Sequence, residues 1–201
     1  MNLLKKGFYF LLAATVLVAC SSDDDAAPVG PIDPGGGGND HPLAGTSWSI
    51  AAEAGSLGVG PTAGDISWWS LDAQGVTDRA CLLDDTYVFN ADGTFSQDMQ
   101  DSTWLEGWQA GEPAEGCGTP IAPHNGSNSA TWSADTSKIT IVGDGAFLGL
   151  AKVHNTAEDG SPVDDTIVYN YVLDGNTLYV DISGFNADVP EASWSYTFTK
   201  N

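Results

Sequence analysis

The chain has 201 residues, with 27 acidic against six basic ones and a formal net charge of −21 at neutral pH. A field of that sign repels phosphate backbones, so nucleic acid is a poor partner, and a strongly anionic polysaccharide is equally disfavoured on charge alone. A neutral ligand, or calcium held among carboxylates, stays compatible with it.

The chain opens with MNLLKKGFYFLLAATVLVAC, two lysines followed by an apolar run from Gly7 to Ala19. This is the pattern of a secretory signal over residues 1–19, closed by the lipoprotein box Leu17-Val18-Ala19-Cys20. Cleavage leaves Cys20 as the lipidated first residue. A retained membrane helix would need about 20 apolar residues, more than the run supplies. The next stretch, SSDDDAAPVGPIDPGGGGNDHP, with three successive aspartates, four successive glycines and spaced prolines, cannot supply a core and reads as a solvated, flexible linker over residues 20–42. Its serine and aspartate-rich start resembles the signal that sends lipoproteins of the Bacteroidetes to the outer face of the outer membrane. That resemblance implies an anchor in outer-membrane lipid through Cys20, with the protein facing the cell exterior.

Residues 43–201 are expected to form a single all-β domain. TSWSIAAE at 46–53 alternates in polarity, and TYVFNADGTFSQD at 86–98 is a hairpin turning on Asp92-Gly93. SATWSADTSKITIVG at 129–143 and DTIVYNYVLDGNTLYVDISG at 165–184 repeat the plan, and SWSYTFTK at 193–200 closes it. No segment of helical length keeps an apolar 3.6-residue period. The expectation is an antiparallel domain of about seven to nine strands. A jelly-roll-like β-sandwich is favoured over a lipocalin-like β-barrel, because residues 54–85 and 99–128 read as long insertions on a compact pair of sheets. Trp48, Trp132 and Trp194, on alternating strands, are assigned to the core.

The two long insertions carry the other four of the seven tryptophans, Trp68 and Trp69 in the first, Trp104 and Trp108 in the second. Connections of that length are generally functional or disordered, and these are too aromatic for disorder. Cys81 lies in the first and Cys117 in the second. In an exported chain whose third cysteine is lipidated, these two are expected to pair, constraining the unfolded chain by roughly 4 kcal/mol and stapling the loops into one lobe. On an extended strand Trp68 and Trp69 point to opposite faces, so at least one of them is expected outside. An exposed indole beside carboxylates and amides is a means of holding a sugar: the C–H face lies on the ring and the hydroxyls need fixed partners at its rim. The candidate polar partners are Asp65, Asp72, Arg79, Glu106, Gln109 and Glu112. Arg79, the chain's one arginine, is read first as an ion-pairing residue of the lobe among Asp78, Asp84 and Asp85, and second as a donor to sugar hydroxyls.

GDGAFLGLAKVHNTAEDG at 143–160 reads as a tightly packed strand followed by a solvated loop; it lacks the sequence of a phosphate loop. Glu53, Glu106, Glu112 and Glu115 could furnish a glycosidase pair, yet no E-x-D-x-x-E signature, Ser-His-Asp arrangement or HExxH is present, so no catalytic residue is assigned. Calcium at the Asp84-Asp85 and Asp144 segments is a weaker expectation, since neither has EF-hand spacing.

EAGSLGVGP (53–61), GDISWWS (64–70), RACLLDDTYVFNADGTF (79–95), TWLEGWQ (103–109), EGCGTPIAPHNGS (115–127) and GAFLGLAK (145–152) form a block set. It resembles secreted Bacteroidetes proteins in which such a domain occurs alone as a lipoprotein or beside family 16 glycoside hydrolases. The resemblance implies a noncatalytic module that binds a polysaccharide, a β-glucan such as laminarin, working with glycan-uptake proteins at the surface. The alternatives kept beside it are a lipocalin-like carrier of a small apolar ligand, a glycoside hydrolase and a structural surface protein.

Overall fold

Strand after strand of the sequence alternates apolar and polar residues, and in the computed structural model this alternation becomes the inside and outside of one curved sheet. The structure describes residues 40–109, 115–158 and 165–201, all within the unit Ile32–Asn201. The signal segment 1–19, the lipidation site Cys20, the linker up to residue 39 and the candidate Glu112 lie outside the described residues.

In chain order the strands are β1 (Thr46–Ile50), β2 (Leu57–Gly60), β3 (Trp69–Ser70), β4 (Thr86–Phe89), β5 (Thr94–Asp98), β6 (Thr103–Leu105) and β7 (Gly116–Gly118). They continue as β8 (Ala130–Ala134), β9 (Lys138–Val142), β10 (Val153–His154), β11 (Ala157–Glu158), β12 (Thr166–Asp174), β13 (Thr177–Ser183) and β14 (Ser193–Lys200). Two short helices, α1 (Ala73–Asp78) and α2 (Ala80–Leu83), lie between β3 and β4. At six and four residues they are too short to show an amphipathic period, which is why the sequence reading passed over them. Asp72 starts α1 as its N-cap, accepting from the Gly75 amide at 2.7 Å.

The strands β1-β4-β5-β8-β9-β12-β13-β14 are joined in that order by antiparallel pairing, and β14 pairs back onto β1 through Trp48↔Lys200, Ser49↔Thr199 and Ile50↔Phe198. That last ladder closes the ring. The molecule is therefore an eight-stranded antiparallel barrel, and the sandwich expectation is corrected: the long insertions do not separate two sheets but connect strands of a single closed one. Full closure removes the free edges that a sandwich would leave.

Residues of one parity fill the interior. Trp48, Tyr87, Phe89, Tyr169, Tyr196 and Phe198 are all at most 2% exposed. Burying a side chain of this size stabilises the fold by about 1.5–3 kcal/mol, and edge-to-face pairs such as Tyr87–Phe198, with centroids 5.6 Å apart at 88°, contribute about 0.5–1.5 kcal/mol more. Trp132 and Trp194 are also buried, as assigned. His41, placed in the linker by sequence, packs on Trp132 and Tyr171, with its Nε2 3.1 Å from the Tyr171 phenol.

Two departures from a plain meander position the site. First, the edge of β14 that faces β1 also pairs with β2 (Trp194↔Val59, Tyr196↔Leu57), so β1 and β2 are two collinear pieces of one interrupted strand. Beyond β2 the sheet gains β3, through Val59↔Trp69. Second, the segment expected as a strand at 143–150 is irregular and forms a buried plug. The Leu148 amide donates to the Tyr169 phenol at 2.9 Å, the Tyr87 phenol donates to the Gly149 carbonyl at 3.3 Å, and Phe147, Leu148 and Leu150 are buried. Gly149 has φ +81, and a Cβ there would meet Tyr196 Cε1 at 2.2 Å, so only glycine lets the plug lie this close to the Tyr196 ring.

Candidate functional site

Direct cross-strand partners share a face, so the row Ile182–Trp194–Val59–Trp69 carries the inner face of the barrel out onto β3. Trp69 thus stands at the rim, 39% exposed, with its ring centroid 5.8 Å from that of Trp194 and the planes inclined at 57°. Its neighbour Trp68, in the bend just before β3, is 52% exposed, so at least one of the pair lies outside, as expected.

The second wall comes from the stapled lobe. Cys81 in α2 and Cys117 in β7 are bonded, as expected. In the β6–β7 hairpin Trp104 is the direct partner of Cys117, so the indole lies on the same face as the disulfide. Arg79, two residues before Cys81, sits over the Trp104 indole, with its guanidinium carbon 3.7 Å from that ring's centroid and 5.4 Å from that of Trp69. One step past the Leu105↔Gly116 pair come Glu106 and Glu115. Lys152, from the end of the plug, completes the group: its Nζ is 3.5 Å from Glu106 and 3.7 Å from Glu115, and it lies 5.4 Å from the Trp194 ring. Glu115 also reaches Arg79 at 3.6 Å.

These side chains enclose a cleft of about 290 Å³ lined by Val59, Trp69, Arg79, Glu115, Leu150, Lys152 and Trp194. Its electrostatics follow from burial. Burial pushes the Glu106 carboxyl up to about 7 against the pull of Lys152, and a hydrogen bond with Glu115 pushes the same way. Burial acts on Glu115 in that sense too, but the Glu106 hydrogen bond, Lys152 and Arg79 outweigh it and hold Glu115 below the ordinary range. Near neutrality, Glu106 is therefore divided between its protonated and ionised forms, while Glu115 is the anion between two cations. Beneath the lobe, Asp85 accepts from Thr103 at 2.6 Å, and burial pushes it up to about 8. Among the described residues, Trp104 Nε1, Trp194 Nε1 and Glu106 Oε1 are buried polar atoms without a hydrogen-bond partner, and all three belong to this cluster.

Of the residues singled out from sequence as sugar contacts, the structure brings Trp69, Trp104, Arg79 and Glu106 together, and Glu115, named there only as a carboxylate, joins them. It does not bring the rest there. Trp108, 39% exposed, stacks edge-on with His124 at 5.2 Å. The Gln109 side chain accepts from the Glu106 amide at 2.8 Å and so shapes the turn under the site. Asp65 accepts from the Ser67 amide at 2.8 Å, holding the bend that leads into the Trp68-Trp69 pair. Asp72 is occupied as a helix cap. The expected pairing of Arg79 with local aspartates gives way to Glu115, a residue distant in sequence.

Sequence reasoning missed Lys152 and the second role of Trp194. Lys152 is one of only four basic residues after the leader, and two of those four converge here; that scarcity was the available signal. Among the described residues, no group of three or more His, Cys, Asp or Glu side chains is placed to hold a metal ion. Asp84 is exposed at the end of α2, Asp85 turns inward to Thr103, and Asp144 accepts from Asn128.

No protein-family model matches the chain, and no curated protein matches it significantly.

Proposed function

We propose that this protein is a noncatalytic, lipid-anchored surface binder of a neutral polysaccharide, a β-glucan being the first candidate. One observation carries the reading: a half-exposed indole, Trp69, stands beside a fixed set of hydroxyl partners, Arg79, Lys152 and Glu115, in a cleft of about 290 Å³. Stacking one sugar on Trp69 would remove roughly 60–100 Å² of apolar surface from water, worth about 1.5–2.5 kcal/mol before ordering costs. Arg79 and Lys152 donate, Glu115 accepts, and their mutual pairing holds them in place before any ligand arrives. Anchoring through Cys20 to outer-membrane lipid, facing outward beside glycan-uptake proteins, belongs to the same proposal.

The barrel's closure also admits a carrier of a small apolar ligand. The interior that such a ligand would occupy is filled by Tyr87, Phe89, Tyr169 and Phe198, each fully buried, and the plug packs against those tyrosines, so the surface cleft supports the glycan reading better.

Affinity gel electrophoresis against laminarin and a panel of plant and algal polysaccharides tests the proposal. Trp69→Ala is expected to weaken retardation by the bound glycan at least tenfold, about 1.4 kcal/mol, with the melting temperature nearly unchanged. Unchanged retardation of the variant would place the ligand elsewhere, and no retardation by any polysaccharide would sink the reading.

A further inference from the structure

Building on the glycan reading, we infer that the cleft takes a single terminal sugar residue, so that the protein recognises chain ends rather than internal stretches of a polysaccharide. The cleft of about 290 Å³ lies at the lower end of the range of about 300–1,000 Å³ that small-ligand sites span, a small site by that measure. The two indoles that face it, Trp69 and Trp194, are inclined at 57° with centroids 5.8 Å apart. They form a corner, whereas consecutive sugars of one chain stack on rings spread along a surface.

The aromatic rings that could lengthen the platform are committed elsewhere. Trp104 has its face covered by the Arg79 guanidinium at 3.7 Å, Trp108 packs on His124, and Trp68, in the bend before β3, does not line the cleft. The polar equipment is dense for so small a space: a guanidinium, an ammonium and a carboxylate crowd one sugar-sized opening. An internal residue has two of its oxygens tied up in linkages. A terminal residue has one more free hydroxyl for these partners and can enter the corner without a chain continuing through both sides.

Titration calorimetry on the intact protein, with laminarin and with β-1,3-linked gluco-oligosaccharides from the disaccharide to the hexasaccharide, tests this. The expected result is an affinity that changes by less than about threefold from disaccharide to hexasaccharide, one protein bound per chain end of laminarin, and loss of both signals in Trp69→Ala. A gain of more than about tenfold with length, or several proteins bound along each unbranched chain, would overturn chain-end recognition while leaving glycan binding intact. Normal oligosaccharide binding by Trp69→Ala would move the sugar out of the cleft and overturn it as well. Binding of neither laminarin nor any oligosaccharide would remove the β-glucan reading itself, and chain-end recognition with it.

Discussion

Trp68 and Trp69 are adjacent in sequence but differ in setting, the first in a bend and the second on β3. Pairing of Trp69 with Val59 directs its ring towards Trp194 and Arg79, and Trp68, in the bend before β3, is left 52% exposed. The same scale holds the two most perturbed carboxyls of the lobe. Asp85 is raised from an ordinary aspartate value to about 8, and Glu106 to about 7, in both cases chiefly by burial. A carboxyl whose pKa is raised on folding binds more protons in the native state, so stability falls as pH climbs from the unfolded value through the folded one. Thermal melts are expected to show stability falling from the ordinary carboxyl range near pH 4 upward, with a loss of about 5 °C or more by pH 9. Asp85→Asn and Glu106→Gln should each flatten that slope, whereas a flat wild-type profile would mean that neither carboxyl is buried as described. Glu115, held low, contributes in the opposite sense, and its contribution is lost only below the ordinary glutamate range.

At the scale of elements, the disulfide and the plug do different work. Cys81 and Cys117 each lie two residues from a side chain of the cleft, Arg79 and Glu115 respectively, so the bond aligns α2 with the β6–β7 hairpin and sets the Arg79–Glu115 contact. Replacing both cysteines by serine is expected to cost about 2–4 kcal/mol in denaturant titrations and to weaken glycan binding at least tenfold in variants that remain folded. Mass spectrometry after alkylation without reductant should find no modified thiol at either position in the exported protein. The plug is held by packing and by its hydrogen bonds with Tyr87 and Tyr169. Gly149→Ala adds a methyl group 2.2 Å from Tyr196 Cε1 at a positive φ of +81, and is expected to destabilise the protein by about 2–4 kcal/mol in urea unfolding. A variant as stable as the wild type would show that the plug shifts freely, which the bonds to Tyr87 and Tyr169 argue against.

Across the whole molecule, a net charge of −21 coexists with a cleft that gathers two of the four basic residues following the leader. The global field repels polyanions, while the local cations are engaged by Glu115 and Glu106. Binding of a neutral glucan is accordingly expected to change by less than about twofold between about 0.05 and 0.5 M salt, as read by calorimetry, because partly buried pairs are screened far less than surface ones. A steep salt dependence would point instead to an anionic ligand.

Much of this was legible in the sequence for a physical reason: alternation is a local property. The hairpins at 86–98, 129–143 and 165–184, the closing strand, the buried Trp48, Trp132 and Trp194, and the pairing of Cys81 with Cys117 all rest on short-range pattern or on there being one possible partner. Barrel closure was not legible, because it depends on β14 reaching β1 across almost the whole chain, and no local pattern distinguishes a last strand that pairs with the first from one that ends a sheet. The short helices and the plug escaped for want of any period, and the cleft escaped in part because Trp69, Arg79, Glu115, Lys152 and Trp194 come from five separate segments. Residue type and alternation told which side chains are apolar, charged or turned outward; only the folded register of β2 on β14 and of β6 on β7 decided which of them meet.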